Sequence, residues 1–193
     1  FGELQPAERA ELAVVDTPRW LELLRQPTSA VQFIGPGGHG KTTHLLALAH
    51  RLPQAAYVYL PEDGPPPSLP RARPVLIDEA QRLRWWQRRQ VLAVGGPLAL
   101  GTHEDLTPAL RRAGLTVVTV EVAADQSPER LADILNRRIE ASRAGDAPVP
   151  RVDLPQAIEL RRRFGADIRQ IERYLYFQFQ QLATDRATWP PAR

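Results

Sequence analysis

The chain has no cysteine and no methionine among its 193 residues, and of its 25 basic residues only one is lysine. Without cysteine there is no disulfide framework and no thiolate metal site, so a reducing cytoplasm is the expected location. The four histidines, His39, His44, His50 and His103, show no metal-ligand spacing, and no structural metal is expected from them. No apolar run approaches the roughly 20 residues of a membrane helix, and no secretory signal pattern opens the chain. No internal repeat is present. The chain opens on Phe1 and lacks methionine, so its native start is read as processed or missing, which leaves room for further domains outside it.

The hydrophobic fraction of 43% and charged fraction of 24% are those of an ordinary globular protein with one good core. Net charge is +3 and the pI is near 9.8, a balance that tolerates nucleic acid as a partner without demanding it.

The single lysine, Lys41, closes the stretch Gly35, Pro36, Gly37, Gly38, His39, Gly40, Lys41, Thr42, which matches GxxxxGK[ST]. An apolar, β-prone run (30–34) precedes it and a helix-prone run (44–52) follows, the strand–loop–helix context in which the pattern has a mechanism. Glycines let main-chain N–H groups curl round a β-phosphate, Lys41 reaches the β- and γ-phosphates, and the Thr42 hydroxyl, with Thr43 beside it, sits where a helix dipole favours anions. Wherever else the chain needs a cation it uses arginine; a compact ammonium here implies a site where the planar guanidinium does not fit.

Pro74, Val75, Leu76, Ile77, Asp78, Glu79 describe a buried strand whose carboxyl end delivers two carboxylates to the crevice above a sheet. This has the form of a Walker B element, with Asp78 and Thr42 serving Mg²⁺ and Glu79 polarising the attacking water. Between the two motifs, residues 55–60 read as a strand, and the link 61–73 carries five prolines and can hardly form a helix. A fourth strand is expected over 97–103, ending in Thr102 and His103, of which Thr102 is the better candidate to contact a γ-phosphate or the lytic water. A helix from about Glu104 to Arg112 and a fifth strand over 115–122 complete the alternation. Arg111 and Arg112 can serve as a finger reaching a neighbouring subunit's nucleotide, or as favourable charges at a helix C-terminus.

The segment Arg82 to Gln90 combines four arginines with Trp85 and Trp86. It reads either as a DNA-facing or subunit-facing helix, or as a surface helix anchored to the sheet by a tryptophan with its arginines in solvent. Upstream, helices are expected over 6–15 and from Thr17, as N-cap, with Pro18 behind it. Beyond residue 126 the alternation stops: helices are expected from Pro128, over 155–164, and from Asp167, with Leu182 on the apolar face of the last and a loop holding Gly145 and Pro148 between the first two. The expected organisation is a helical lead-in (1–26), a five-stranded parallel α/β core of P-loop type (27–125), a small helical lid (126–184) and a loose tail (185–193).

In order, GPGGHGKT, VLIDEAQ, LALGTHEDL and LRRAGLTVVTVEV followed by a small helical lid resemble the AAA+ ATPases over about Pro18 to Leu182. Within that family the short core, DEAQRL and GTHEDL look most like bacterial transposon target-selection, secretion-linked or initiator-like ATPases. The resemblance implies ATP and Mg²⁺ as ligands, hydrolysis at subunit boundaries of a nucleotide-dependent homo-oligomer, and action on DNA or a protein partner. It also places a second sensor arginine at Arg169, whose bland alternative is an exposed helix-start arginine. Two departures point to slow hydrolysis: prolines replace the usual helix before Walker B, and the usual sensor asparagine is Thr102 or His103. A STAND-type signalling switch is therefore an alternative to a motor. A P-loop small-molecule kinase is a third, weakened by the Asp78–Glu79 pair.

Overall fold

The computed structural model describes residues 5–124, 126–143 and 149–187; the side chains of Pro6 and of residues 182–187 fall outside that description. The chain divides into two compact units, one over Gln5–Asp125 and one that takes in Gln126–Arg193.

The first unit is α/β. Its strands β1 (Ser29–Ile34), β2 (Ala56–Tyr59), β3 (Val75–Asp78), β4 (Leu98–Thr102) and β5 (Thr116–Glu121) form one sheet in the order β2-β3-β4-β1-β5. Every pairing is parallel, and helices flank the sheet. These helices are α1 (Pro6–Glu11), α2 (Thr17–Leu23), α3 (Lys41–Arg51), α4 (Trp85–Val94) and α5 (Thr107–Arg112). The chain runs from β1 to the β2 edge, returns through β3 and β4 to the side of β1, then crosses to β5. The direction reverses at β1, which opens a crevice beyond the carboxyl ends of the strands.

Strand alternation feeds two cores. Val31, Phe33, Leu76 and Ala99 face Trp20, Leu45 and Leu48 of α2 and α3. Ala30, Val75, Ile77, Leu98 and Leu100 face Leu83, Val91 of α4 and Leu110 of α5. Each such fully buried aliphatic contributes about 1.5–3 kcal/mol. Trp20 meets Phe33 edge-on at 5.6 Å between centroids, so the lead-in helix packs as part of the sheet unit.

One buried group breaks the apolar pattern. Gln32, in the middle of β1 and fully buried, has its Nε2, with two hydrogens to give, 2.6 Å from Asp105 Oδ1, 2.7 Å from Thr107 Oγ1 and 2.8 Å from Thr119 Oγ1, and its Oε1 accepts from the Leu106 amide at 3.0 Å. It ties the start of α5 to β1 and β5. Hydrogen bonds from the Thr107 side chain and amide, then from Gln32, hold the Asp105 carboxyl below its usual range.

The second unit consists of α6 (Pro128–Ala141), α7 (Leu154–Phe164) and α8 (Ile168–Ala187). Ser127, Asp153 and Asp167 accept from the amides of Arg130, Gln156 and Gln170, the caps that stop each helix fraying. Leu131, Leu135 and Ile139 of α6, Leu160 of α7 and Ile171 and Leu175 of α8 are among its buried residues, and Arg138 pairs with Glu172.

Several boundaries move. Asp16, not Thr17, caps α2, because its carboxylate accepts from the Arg19 amide. α3 begins at Lys41, so the end of the glycine-rich motif is the first turn of the helix. α5 begins at Thr107 rather than near Glu104. α8 runs through residues expected in the tail as far as Ala187, there being no proline or glycine to stop it. Gly145, Pro148, the Leu182 side chain and the tail beyond 187 lie outside the described residues. As expected, the link between β2 and β3 holds no helix.

Candidate functional site

The glycine-rich loop, Asp78, Glu79, Thr102 and His103 lie together at the carboxyl ends of β1, β3 and β4. Register aligns these ends: Ile34 pairs with Thr102, and Tyr59 pairs with Asp78. The loop 35–40 leaves β1 there and enters α3 at Gly40, whose φ of 98° a side chain would resist. The first N–H groups of α3 thus open onto the crevice, the geometry that favours an anion.

Lys41 is 4% exposed, and its ammonium donates to the carbonyls of Gly35 at 2.7 Å and Pro36 at 2.9 Å. Its nitrogen also lies 3.3 Å from His103 Nε2. Thr42 donates its hydroxyl to Asp78 Oδ2 at 2.7 Å. Asp78, fully buried, accepts at the same oxygen from the Tyr57 hydroxyl at 3.0 Å and at Oδ1 from the Glu79 amide at 3.1 Å. Three donors compensate a carboxylate that burial would otherwise penalise. Burial, with the Asp78 carboxylate beside it, raises the Tyr57 phenol well above its ordinary value, so the hydroxyl stays a donor.

Glu79 is held in a left-handed conformation (φ 59°, ψ 42°), a strained backbone that turns its side chain out of the strand. Its Oε2 accepts from Gln81 Nε2 at 2.7 Å and lies 3.4 Å from both Arg82 Nη2 and His103 Nε2. Gln81 also accepts from the His103 amide at 3.2 Å, so one side chain braces both Glu79 and the end of β4. His103 Nε2 accepts from Lys41 in the tautomer in which it carries no hydrogen and turns a hydrogen to Glu79 in the other; a single nitrogen cannot do both at once.

Thr102 is fully buried, and its hydroxyl closes a turn, donating to the Glu104 carbonyl at 2.9 Å and accepting from the Glu104 amide at 3.0 Å. Of the two candidates at this strand end, His103 is the one brought beside Lys41 and Glu79. Of the remaining loop residues, His39 Nδ1 lies 2.8 Å from the Gly37 carbonyl, and Thr43 is half-buried in the first turn of α3. Arg111 and Arg112 are exposed at the end of α5. Arg169 is exposed in the first turn of α8, in the second unit.

Tyr57, Gln81 and Gly101 belong to the arrangement and were not singled out from sequence. A Cβ at Gly101 would lie 2.7 Å from Asp78 Oδ1, 3.1 Å from Leu45 Cδ1 and 3.5 Å from Lys41 Cβ. Glycine is what lets the buried carboxylate and the start of α3 share this space. Gln81 sits in the motif string two residues after Glu79, which was its only signal; Tyr57 and Gly101 carried none.

The segment after Glu79 departs from the reading in which a tryptophan anchors it to the sheet with its arginines in solvent. A 3₁₀ turn (Ala80–Arg82) precedes α4, and neither tryptophan anchors the helix: Trp85 is 72% and Trp86 41% exposed. Gln87 is the buried residue instead, donating to the Pro67 carbonyl at 3.0 Å and accepting from the Arg84 amide at 3.1 Å. Arg82 and Arg88 turn inward. Arg82 binds the Leu60 carbonyl and Glu62, and Arg88 binds the carbonyls of Gln81 and Leu83.

In chemical terms, a helix N-terminus and a buried ammonium can take phosphate oxygens. A hydroxyl and a buried carboxylate are hard oxygen donors that fit Mg²⁺, an ion that needs few protein ligands when phosphates supply others. A second carboxylate beside them can orient water. Among the described residues no helix is long and apolar enough to cross a membrane. No protein-family model matches the chain, and no curated protein matches it either.

Proposed function

We propose that the first unit is a P-loop ATPase of AAA+ type that binds and hydrolyses ATP and oligomerises in a nucleotide-dependent way, acting on DNA or a protein partner. The observation that carries this reading is the Thr42–Asp78 hydrogen bond of 2.7 Å, which joins the end of the glycine-rich loop to the acid pair with Lys41 and Glu79 alongside. Main-chain N–H groups of 35–42 and the Lys41 ammonium bind the phosphates, with Lys41 exchanging its loop carbonyls for phosphate oxygens. Thr42 and Asp78 would hold Mg²⁺, which supplies charge neutralisation of the phosphate oxygens when bound. Glu79 orients water and accepts its proton, and His103, held 3.3 Å from Lys41 and 3.4 Å from Glu79, serves in the place first given to Thr102. In this reading Arg111, Arg112 and Arg169 act at the nucleotide from a neighbouring subunit or from the helical unit as a lid.

A second reading is a STAND-like nucleotide switch. It is favoured by the hold on Glu79, whose carboxylate is engaged by Gln81 and faces Arg82 and His103, an arrangement that slows general-base action until those contacts change. Sedimentation with ATP, with ADP and without nucleotide tests the oligomerisation. Larger species with ATP that revert to monomer as ATP is consumed are expected of the ATPase. Species that persist with ATP unconsumed are expected of the switch. A monomer under all three conditions contradicts both.

A further inference from the structure

The structure sorts the arginines around α4 into two groups. Arg82 and Arg88 are tied to main-chain carbonyls and face Glu62, Glu79 and Glu104. Arg71 and Arg73 on the proline-rich link, and Arg84 and Arg89 on α4, have no acidic partner among the described residues. The sequence supplies none nearby: no Asp or Glu occurs between Asp63 and Asp78, or between Glu79 and Glu104.

Two of these unpaired cations line a groove beside the end of α4, and two lie at and near the start of the same helix. A groove of about 480 Å³ runs between the link and the end of α4, walled by Leu69, Val75, Val91 and Val94, with Arg71 and Arg73 at its side. Arg73 Nε is buried there without an acceptor, while its Nη1 donates to the Ala72 carbonyl at 2.9 Å. On a helix of 10 residues and so about 15 Å long, Arg84 caps the start of α4 and Arg89 sits at its middle, on either side in sequence of the exposed Trp85 and Trp86.

We propose that the link and α4 together bind single-stranded nucleic acid, with phosphates on the four arginines and bases on the tryptophan faces and in the apolar groove. Phosphodiester is the polyanion that matches a run of cations with no interspersed acids, and unpaired bases are the partner that matches exposed indoles beside them. Base stacking cannot be offered to an intact duplex, whose bases face each other. Protein partners of mixed charge do not require an acid-free stretch, and two adjacent helical tryptophans splay to different directions, as separate stacking faces do. The inference does not rest on the nucleotide reading, since none of these six residues touches Lys41, Thr42, Asp78 or Glu79.

The test is fluorescence-anisotropy binding of labelled single-stranded DNA and RNA of about 12 nucleotides, within the site sizes of such grooves, against a duplex of the same sequence. The expected result is binding of the single strands in preference to the duplex. Log affinity should fall against log salt with a slope of about −3, roughly −0.7 for each of four phosphate contacts. Trp85→Ala and Trp86→Ala should each weaken binding about tenfold, and Arg84→Ala with Arg89→Ala should weaken it and flatten the slope by about half. Far-UV circular dichroism and urea midpoints of the same variants read out folding and should stay unchanged. Equal or tighter duplex binding, tryptophan variants that bind as the parent does, or no binding by the folded parent would each overturn the proposal. So would tryptophan variants that alter only oligomeric state.

Discussion

The Thr42 hydroxyl and the Tyr57 hydroxyl converge on one oxygen of Asp78, at 2.7 and 3.0 Å. In the proposed site Thr42 turns to the cation, which leaves Tyr57 and the Glu79 amide to keep the carboxylate aimed.

Tyr57→Phe keeps the ring and removes that donor. The Mg²⁺ needed for half-maximal binding of a fluorescent ATP analogue should rise about tenfold or more, the usual cost of losing a group that orients a metal ligand. Turnover at saturating Mg²⁺ should change little. The raised Tyr57 value also carries a sign: its contribution to stability is present below the unfolded-state value of about 10 and is lost as pH rises toward the higher folded value. Urea midpoints measured from pH 7 to 11 should therefore decline less for the variant on the alkaline side.

Gly101→Ala places a methyl 2.7 Å from Asp78 Oδ1 and 3.1 Å from Leu45 Cδ1. Both neighbours are packed, so the variant should lose about 1–3 kcal/mol in urea denaturation. Nucleotide binding should weaken more with Mg²⁺ present than with the ion chelated, because the carboxylate is the group displaced.

Gln32→Leu removes the bridge between β1 and the start of α5 and leaves the Leu106 amide without its acceptor. The expected loss is about 3 kcal/mol at pH 7, read by denaturation. Asp105 sits below its usual range partly through Gln32, so its contribution is present above the unfolded value of about 3.9 and is lost as pH falls through the lower folded value. The gap between parent and variant should narrow as the pH is lowered toward 2.

How much of this was legible in the sequence follows from where the information lies. The loop 35–42, strand β3 and the acid pair were readable because glycines, an aliphatic run and two carboxylates state local demands that hold in any packing. The five parallel strands followed from the same alternation. Gln32 was read as one residue of an apolar strand because its partners are about 75 positions away. Gly101 looked like an ordinary strand glycine, since what forbids a side chain there is Asp78 arriving from another strand. One of the two readings of 82–90 gave a tryptophan the anchoring role, yet Gln87 holds that place through its hydrogen bond to Pro67 on the proline-rich link. Asp16 displaced Thr17 as a cap because both are good caps and only the chain's turn decides between them.

The central claim is that Lys41, Thr42, Asp78 and Glu79 form one hydrolytic nucleotide site, and parallel measurement of Mg·ATP binding and of phosphate release tests it in the parent, Lys41→Ala and Glu79→Gln. The parent should bind and hydrolyse ATP, and Lys41→Ala should lose binding. Glu79→Gln should bind within about threefold of the parent while releasing phosphate about 100-fold more slowly or slower still, the range for loss of a general base. Glu79→Gln turnover at the parent's rate, or unchanged ATP binding by Lys41→Ala, would contradict the account.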